Sequence, residues 1–488
     1  MGSTPPLASA DDFVPSKRNR IWLNAQQPAI QNHDRISALP DDILIKILSL
    51  LSLRDAAVTH SLSTRWRHLW QNVDDLSLNT CTFGMQVSSN SIYDENPDFW
   101  NSEATKFVNK VNWVLRHHNG IGITNFKVQF PLNSTHASDL DRWVAFAIAS
   151  CAKALKLWLV ADNALAPIQH AELYNFPLHY FADVRSCKLN LLHLAECSLE
   201  AAPANLSGFS YLRHLKLFSV SVVDSVVLNI VSSCHALDHL VLLRCRQLIN
   251  VRISNSQLAV LEVIFCKSLI SCGIHAEKLR CFFYKGHKID IGYECAPNLS
   301  KLHVLFSKNH ECPMDLMGHL PKLRTLALQF PSCLQVSRVL QKRERFATLK
   351  EIVLCLLTSW ERRICSVAYL LKAAPLVQTL NVEVRGDQQS PKELNFGWPK
   401  NCNFRRLRTV RIGGFSGESE LLGLLFFLLA RSRALKTLVV DTHRSYCRGF
   451  YRWKREESED SGRCSYARGV AFEQLAPKVP STVKLNVM

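Results

Sequence analysis

From Leu189 to Leu354 the chain repeats one hydrophobic unit: an apolar residue, two spacers, an apolar residue, one spacer, an apolar residue. Regular copies lie at Leu189/Leu192/Leu194, Leu212/Leu215/Leu217, Leu237/Leu240/Leu242 and Leu258/Leu261/Val263, then at Leu279/Phe282/Tyr284, Leu299/Leu302/Val304, Leu323/Leu326/Leu328 and Leu349/Ile352/Leu354. Their starts are 23, 25, 21, 21, 20, 24 and 26 residues apart. Less regular copies are read at Val73/Leu76/Leu78, Ile123/Phe126/Val128, Leu155/Trp158/Val160, Val377/Leu380/Val382, Leu407/Val410/Ile412 and Leu435/Leu438/Val440. The alternating close of the unit predicts a short strand buried on one face. A unit this small cannot bury that face alone. Neighbours must do it for each other, which predicts a stack of parallel strands with a helix or loop outside each one. The polar spacers are then expected to face solvent on the strand side. Arg213, His214, Asp238, His239, Lys301, Lys322 and Arg324 become candidate contacts for another macromolecule.

The period changes near the N-terminus. Ile43, Leu44, Ile47, Leu48 and Leu51 share one helical face, with Lys46 and Ser49 opposite. Pro40 precedes this helix, and Asp41 and Asp42 put negative charge in its first turn. Ser52 with Asp55 predicts a capping box opening a second helix, and Ser63 can cap a third turn carrying Trp66, Leu69 and Trp70. About forty residues is too little to close a core, so some of this apolar surface needs a cover. Elsewhere, Thr105–Arg116 has the spacing of an amphipathic helix, and Leu421–Leu429 that of a buried one.

Composition narrows the function. Of the 488 residues 47% are hydrophobic and 20% charged, as in a folded protein. The net charge is +17, but Arg244, Arg246, Lys267, Arg280, Lys285, Arg324, Lys350 and Arg408 are scattered without interleaved aromatics, which does not single out nucleic acid. No apolar run reaches membrane-spanning length. The seventeen cysteines include no Cys-x-x-Cys pair and no zinc spacing, and MGSTPPLASADD is not a secretory leader. Reduced, buried thiols of a nuclear or cytoplasmic protein are expected. Cys197, Cys245 and Cys266 each fall three residues past a unit's last apolar position, where a small donor can satisfy turn carbonyls. No Gly-x-Ser-x-Gly, His-Glu-x-x-His, phosphate loop or kinase signature occurs. The chain is therefore expected to be no enzyme, with no cofactor and no metal.

Three resemblances follow. The repeated unit is the strand spelling of leucine-rich repeats. Asp34, Arg35, Ile36, Ser37, Leu39, Pro40 and Asp41, followed by Ser63, Arg65, Trp66, Arg67, Leu69 and Trp70, resemble the opening and close of a plant F-box. Asn403–Val440, with its Gly413–Gly417 turn, is similar to the FBD segment ending many plant F-box/leucine-rich-repeat proteins. The implied fold class is α/β: a three-helix F-box followed by a curved leucine-rich-repeat solenoid with a parallel inner sheet. The implied division is a disordered leader at 1–33, the F-box at 34–74, repeats at 75–402 and FBD-like repeats with a cap at 403–488.

The resemblance implies a substrate-recognition subunit of a Skp1–cullin–F-box ubiquitin ligase. Its F-box would dock on a Skp1-like adaptor through Leu39, Pro40, Ile43, Leu44, Ile47, Leu48, Leu51, Val58, Leu62, Trp66, Leu69 and Trp70. Through that adaptor it would reach a cullin–RING ligase, while the repeats bind a protein substrate. Two alternatives stay open at this stage: a non-ligase scaffold or nuclear binding protein, and a concavity that holds a small co-ligand.

Overall fold

The computed structural model describes residues 36, 38–85, 97–160, 172–182, 184, 187–306, 320–330, 346–357, 364–385, 397–447, 453–455 and 461–488. The leader, Asp34, Arg35 and Ser37 lie outside them. The chain divides into two compact units, Met1–Ile168 and Gln169–Met488.

In the first unit, helix Asp41–Leu48 begins after Pro40, whose backbone is extended, and buries Leu44 and Leu48. Helix Leu53–Val58 has the expected cap: the Asp55 N–H donates to the Ser52 hydroxyl at 3.1 Å, and that hydroxyl donates to the Asp55 carboxylate at 2.6 Å. The third element is a 3-10 helix, Trp66–Asn72. Strands Asp75–Asn79, Asn125–Gln129 and Ala154–Trp158 then pair in parallel, joined by helices Pro97–His117 and Ala137–Ala149. Leu76, Phe126 and Leu155 stand in one row, and Leu78, Val128 and Leu157 in the next. The third unit is therefore Ala152/Leu155/Leu157, not Leu155/Trp158/Val160. The run Leu155–Val160 is apolar at enough positions to fit two registers, and the weak Ala152 hid the right one.

In the second unit, parallel strands follow in chain order. They are Leu191–Ala195, His214–Phe218, His239–Leu243, Val260–Ile264, Cys281–Gly286, Lys301–Phe306, Thr325–Phe330, Glu351–Leu356, Thr379–Val384, Thr409–Gly413, Thr437–Asp441 and Lys484–Val487. Leu215, Leu240, Leu261, Phe282, Leu302, Leu326, Ile352, Leu380, Val410, Leu438 and Leu485 align across them. The last strand closes this sheet's end.

Unit length decides what covers the other side. The units of 20 or 21 residues starting at Leu237, Leu258 and Leu279 carry a second parallel sheet, made of Asn250–Ser254, Ser271–His275 and Asp290–Cys295. The longer units starting at Leu212, Leu349 and Leu407 carry helices Asp224–Ser233, Cys365–Ala373 and Ser419–Arg431. Five extended residues and ten helical ones both span about 15 Å. A short unit has only enough chain for the strand.

The corners explain the cysteines. Glu196, Ser219, Arg244 and Phe265 adopt left-handed backbone, with φ between 51° and 57°. Each N–H donates to a carbonyl at the end of the next strand, as from Arg244 to Ile264 at 2.8 Å. The residue that follows turns inward. The Cys245 thiol donates to the Leu217 and Leu243 carbonyls at 3.7 and 3.8 Å, and Cys266 to Leu242 and Ile264 at the same distances. Burial pushes the Cys234 and Cys272 thiols up to about 12 and raises Cys197 further, so these sulfurs stay protonated.

One expectation fails here. Not every spacer on the inner face meets solvent. Ile264, Phe283, Leu305 and Cys355 form a buried cluster with Leu243 against it. His303 is buried beside Phe283 at 5.7 Å and its pKa falls to about 3 through burial, with Lys301 adding to the fall. The single spacers between the last two apolar positions are apolar at Phe283, Ala327 and Val353, and these are buried too, whereas the paired spacers ahead of them stay polar.

Candidate functional site

Two surfaces carry the chemistry. The first lies on the N-terminal helices. Leu44, Leu48, Trp66, Leu69 and Trp70 fill the segment's own core: Trp66 is 4% exposed and Trp70 7%. Trp70 stacks on Trp113 of helix Pro97–His117 with ring centroids 5.8 Å apart. These five, read from sequence as docking residues, are covered by their own chain. Helix Pro97–His117 and strand Asp75–Asn79 supply a backing that a forty-residue segment lacks. His118 completes the seam: its Nε2–H donates to the Val73 carbonyl at 2.9 Å, and its Nδ1 accepts the Gly120 N–H at 2.9 Å. That is the neutral tautomer, and burial lowers the pKa, with the Val73 bond opposing.

The flank beside this buried row stays apolar and open. Ile43, Ile47, Leu51, Val58 and Leu62 are exposed, together with Ile36 and Leu50, which the helical spacing did not single out. Leu50 is 84% exposed and Leu62 65%. Leu39 is half-buried and Pro40 exposed. Arg65 pins the start of this face. It donates to the Asp41 carboxylate at 2.6 Å and to the Leu39 carbonyl at 2.6 Å. So many large aliphatics in water on one short segment is the mark of an interaction surface.

The second surface is a trough of about 1010 Å3 at the entrances of the second unit's strands. Residues from one repeated position stand side by side there. The Ser300 N–H donates to the Arg280 carbonyl, Arg324 to Ser300, Lys350 to Arg324 and Gln378 to Lys350, at 2.7–3.0 Å. Lys278, Asn298 and Lys322 form a second row, where Lys322 donates to Asn298 at 2.6 Å. Lys301, Thr325, Glu351 and Thr379 open the strands themselves. Asp238, Lys301, Lys322 and Arg324, expected from sequence as contact residues, all line this trough. Arg213, His214 and His239 stand beyond it: His239 pairs with Glu262 at 3.2 Å, and burial, His239 and Arg213 lower the His214 pKa against Asp238.

Lys278, Arg280 and Lys350 were not among the expected contacts, and Arg280 and Lys350 had counted as scattered charge. The repeat period is the signal that finds them, because it places Arg280, Ser300, Arg324 and Lys350 at one position of four consecutive strands. Among the described residues no group of three metal-ligating side chains occurs, and no helix is long and apolar enough to cross a membrane.

An F-box joined to a repeat domain with a large parallel sheet defines the class: an F-box/leucine-rich-repeat protein. The F-box domain model matches residues 36–78, and the model described as "At1g61320/AtMIF1, LRR domain" matches residues 114–488. The chain belongs to that leucine-rich-repeat family. It is similar to the putative FBD-associated F-box protein At5g50270 of Arabidopsis thaliana, 25% identical over 83% of this chain and 96% of the relative. A second putative FBD-associated F-box protein from the same plant, At5g56440, is 24% identical over 84% and 93%. The F-box/LRR-repeat protein At3g03360 is 27% identical over 57% and 52%. The pairing of F-box and repeats is that of substrate adaptors in general, which are typically non-catalytic.

Proposed function

We propose that this chain is the substrate receptor of a Skp1–cullin–F-box ubiquitin ligase. In this reading the helices 41–72 dock on a Skp1-like adaptor, and the repeat domain holds the protein to be ubiquitinated. The observation that carries it is the open apolar face of Ile43, Ile47, Leu50, Leu51, Val58 and Leu62 on a segment whose other face is already packed. Leu39 and Pro40 border that face, and Arg65 fixes their position. The chain would supply proximity and orientation, while the conjugating enzyme on the RING subunit supplies the chemistry.

The test is capture of a purified Skp1-type adaptor by the full chain and by a Leu50→Asp/Leu62→Asp variant. Both side chains stand in water, so folding is expected to survive the change. Burying one such side chain contributes about 1.5–3 kcal/mol, and a buried unpaired carboxylate costs more, so capture should fall at least about a hundredfold. Undiminished capture with the melting curve unchanged would sink the interface. Recovery of adaptor without cullin from cells would remove the ligase.

A further inference from the structure

We propose that the trough at the strand entrances binds an extended, carboxylate-rich segment of the target protein. This rests on the receptor reading above and gives that site its ligand class. The trough carries six cations, Lys278, Arg280, Lys301, Lys322, Arg324 and Lys350, against two carboxylates, Asp238 and Glu351. Glu351 is already engaged, accepting hydrogen bonds from Thr325 and Asn381 at 3.2 Å. Among the described residues no carboxylate pairs with Arg280, Arg324 or Lys350. Three of four consecutive strands therefore open on a cation with no carboxylate paired to it among the described residues, and Ser300 holds the same position on the fourth.

Dimensions select the form of the ligand. The trough runs from Asp238, beside strand His239–Leu243, to Thr379 on strand Thr379–Val384. Neighbouring strands are about 4.8 Å apart, so this length is roughly 25–30 Å, the reach of about eight extended residues. Chemistry separates peptide from nucleic acid. The lining has no aromatic side chain for bases to stack on, and Glu351 and Asp238 would repel a uniformly charged phosphate chain. Gln257 and Asn298 instead hold the Lys278 and Lys322 ammonium groups at 2.6 Å, and Gln378 adds an amide of the kind that meets a peptide backbone. Cations spaced among such groups match separate carboxylates on an extended chain.

Fluorescence anisotropy on the full chain tests this with a labelled octapeptide of alternating Glu and Ser. The comparison probes are its Gln/Ser counterpart and a single-stranded DNA octamer. The Glu peptide should bind and the Gln peptide should not. An Arg280→Glu/Arg324→Glu/Lys350→Glu variant should weaken binding at least about tenfold, since three ion pairs are lost together and reversal adds repulsion. Arg405→Glu/Arg406→Glu, on exposed cations outside the trough, should leave it unchanged. If the triple reversal does not fold, Arg280→Gln/Arg324→Gln/Lys350→Gln takes its place, with a salt titration of the unmodified chain beside it. Equal loss in trough and control variants, equal binding of the Gln peptide, or tighter binding of DNA than of the Glu peptide overturns the assignment. Adaptor capture is measured on the same samples. Lost peptide specificity with adaptor capture intact removes only this inference. Lost adaptor capture by the unmodified chain with peptide binding intact removes the ligase reading instead.

Discussion

The helices 41–72 hold large aliphatic side chains out in water, whereas the trough of the repeat domain holds out charge. Both surfaces are open, but they are stable in different ways. Exposed apolar area costs free energy until a partner covers it, and that partner gains little specificity from the grease itself. Solvated lysines and arginines cost almost nothing while empty, and they discriminate among partners by charge. The contrast fits one long-lived subunit contact and one exchangeable contact. The apolar face suits an obligate neighbour, and the trough suits a target that arrives and leaves.

The largest effect should come from breaking what lies beneath the apolar face. Trp66→Ala removes a side chain buried between the helices, and the expected loss is about 3–5 kcal/mol of folding stability. The urea midpoint of the first unit's transition should drop, and adaptor capture should go with it. Leu50→Ala should leave folding stability within about 0.5 kcal/mol while still weakening capture. If Trp66→Ala and Leu50→Ala behave alike, the two faces of this segment are not distinct.

Salt sharpens the comparison at the next level. Raising ionic strength from about 0.05 to 0.5 M shortens the screening length severalfold and should weaken the acidic peptide at least about tenfold. Adaptor capture through Ile43, Ile47 and Leu62 should change little, because apolar contact is not screened. A salt dependence of the same steepness at both surfaces would erase the distinction drawn above.

Much of this was readable from residue order. The strand rows, the inward cysteines at 245 and 266 and the Ser52 cap all follow from spacing, because the backbone period forces those side chains into place. What spacing could not show was which side of a helix finds a cover. Leu44 and Ile43 are neighbours of equal hydrophobicity, yet one is buried and the other is not. The difference is made by Trp66 and Trp70, which reach that side from more than twenty residues away. The trough was hidden for a related reason. Arg280, Arg324 and Lys350 are scattered along the chain and become a line only when each repeat is laid on the next. The outer sheet was missed as well. Only the chain length left between strands decides between strand and helix there, and 20 or 21 residues leave room for a strand alone.

A smaller effect should appear on acidification of the first unit. The folded pKa of His118 lies below the unfolded value, so the unfolded chain binds the extra proton more readily. Its contribution to stability is therefore complete above about pH 6.5 and is lost as pH falls through that value toward the folded pKa. Protonation of Nδ1 also breaks the bond from the Gly120 N–H, worth about 1 kcal/mol. Melting temperatures at pH 7.5 and 5.5 should differ more for the unmodified chain than for His118→Gln. Equal differences would mean that the seam does not titrate. The trough carries no such histidine, so peptide binding should not share this step.

The smallest effect separates ordinary surface electrostatics from a contact that positions the apolar face. Asp41 and Arg65 pair at 2.6 Å, but their side chains are 61% and 39% exposed. An exposed pair of this kind contributes about 0.2–1 kcal/mol, and salt screens it. Arg65 does something more: it also donates to the Leu39 carbonyl, fixing the residues just ahead of helix Asp41–Leu48. Asp41→Ala should therefore cost less than Arg65→Ala, in folding stability and in adaptor capture alike. The Asp41/Arg65 coupling from a double-mutant cycle should shrink in high salt, while the extra cost of Arg65→Ala should persist. If Asp41→Ala costs as much as Arg65→Ala, the carbonyl contact contributes nothing, and Arg65 acts only through its exposed ion pair.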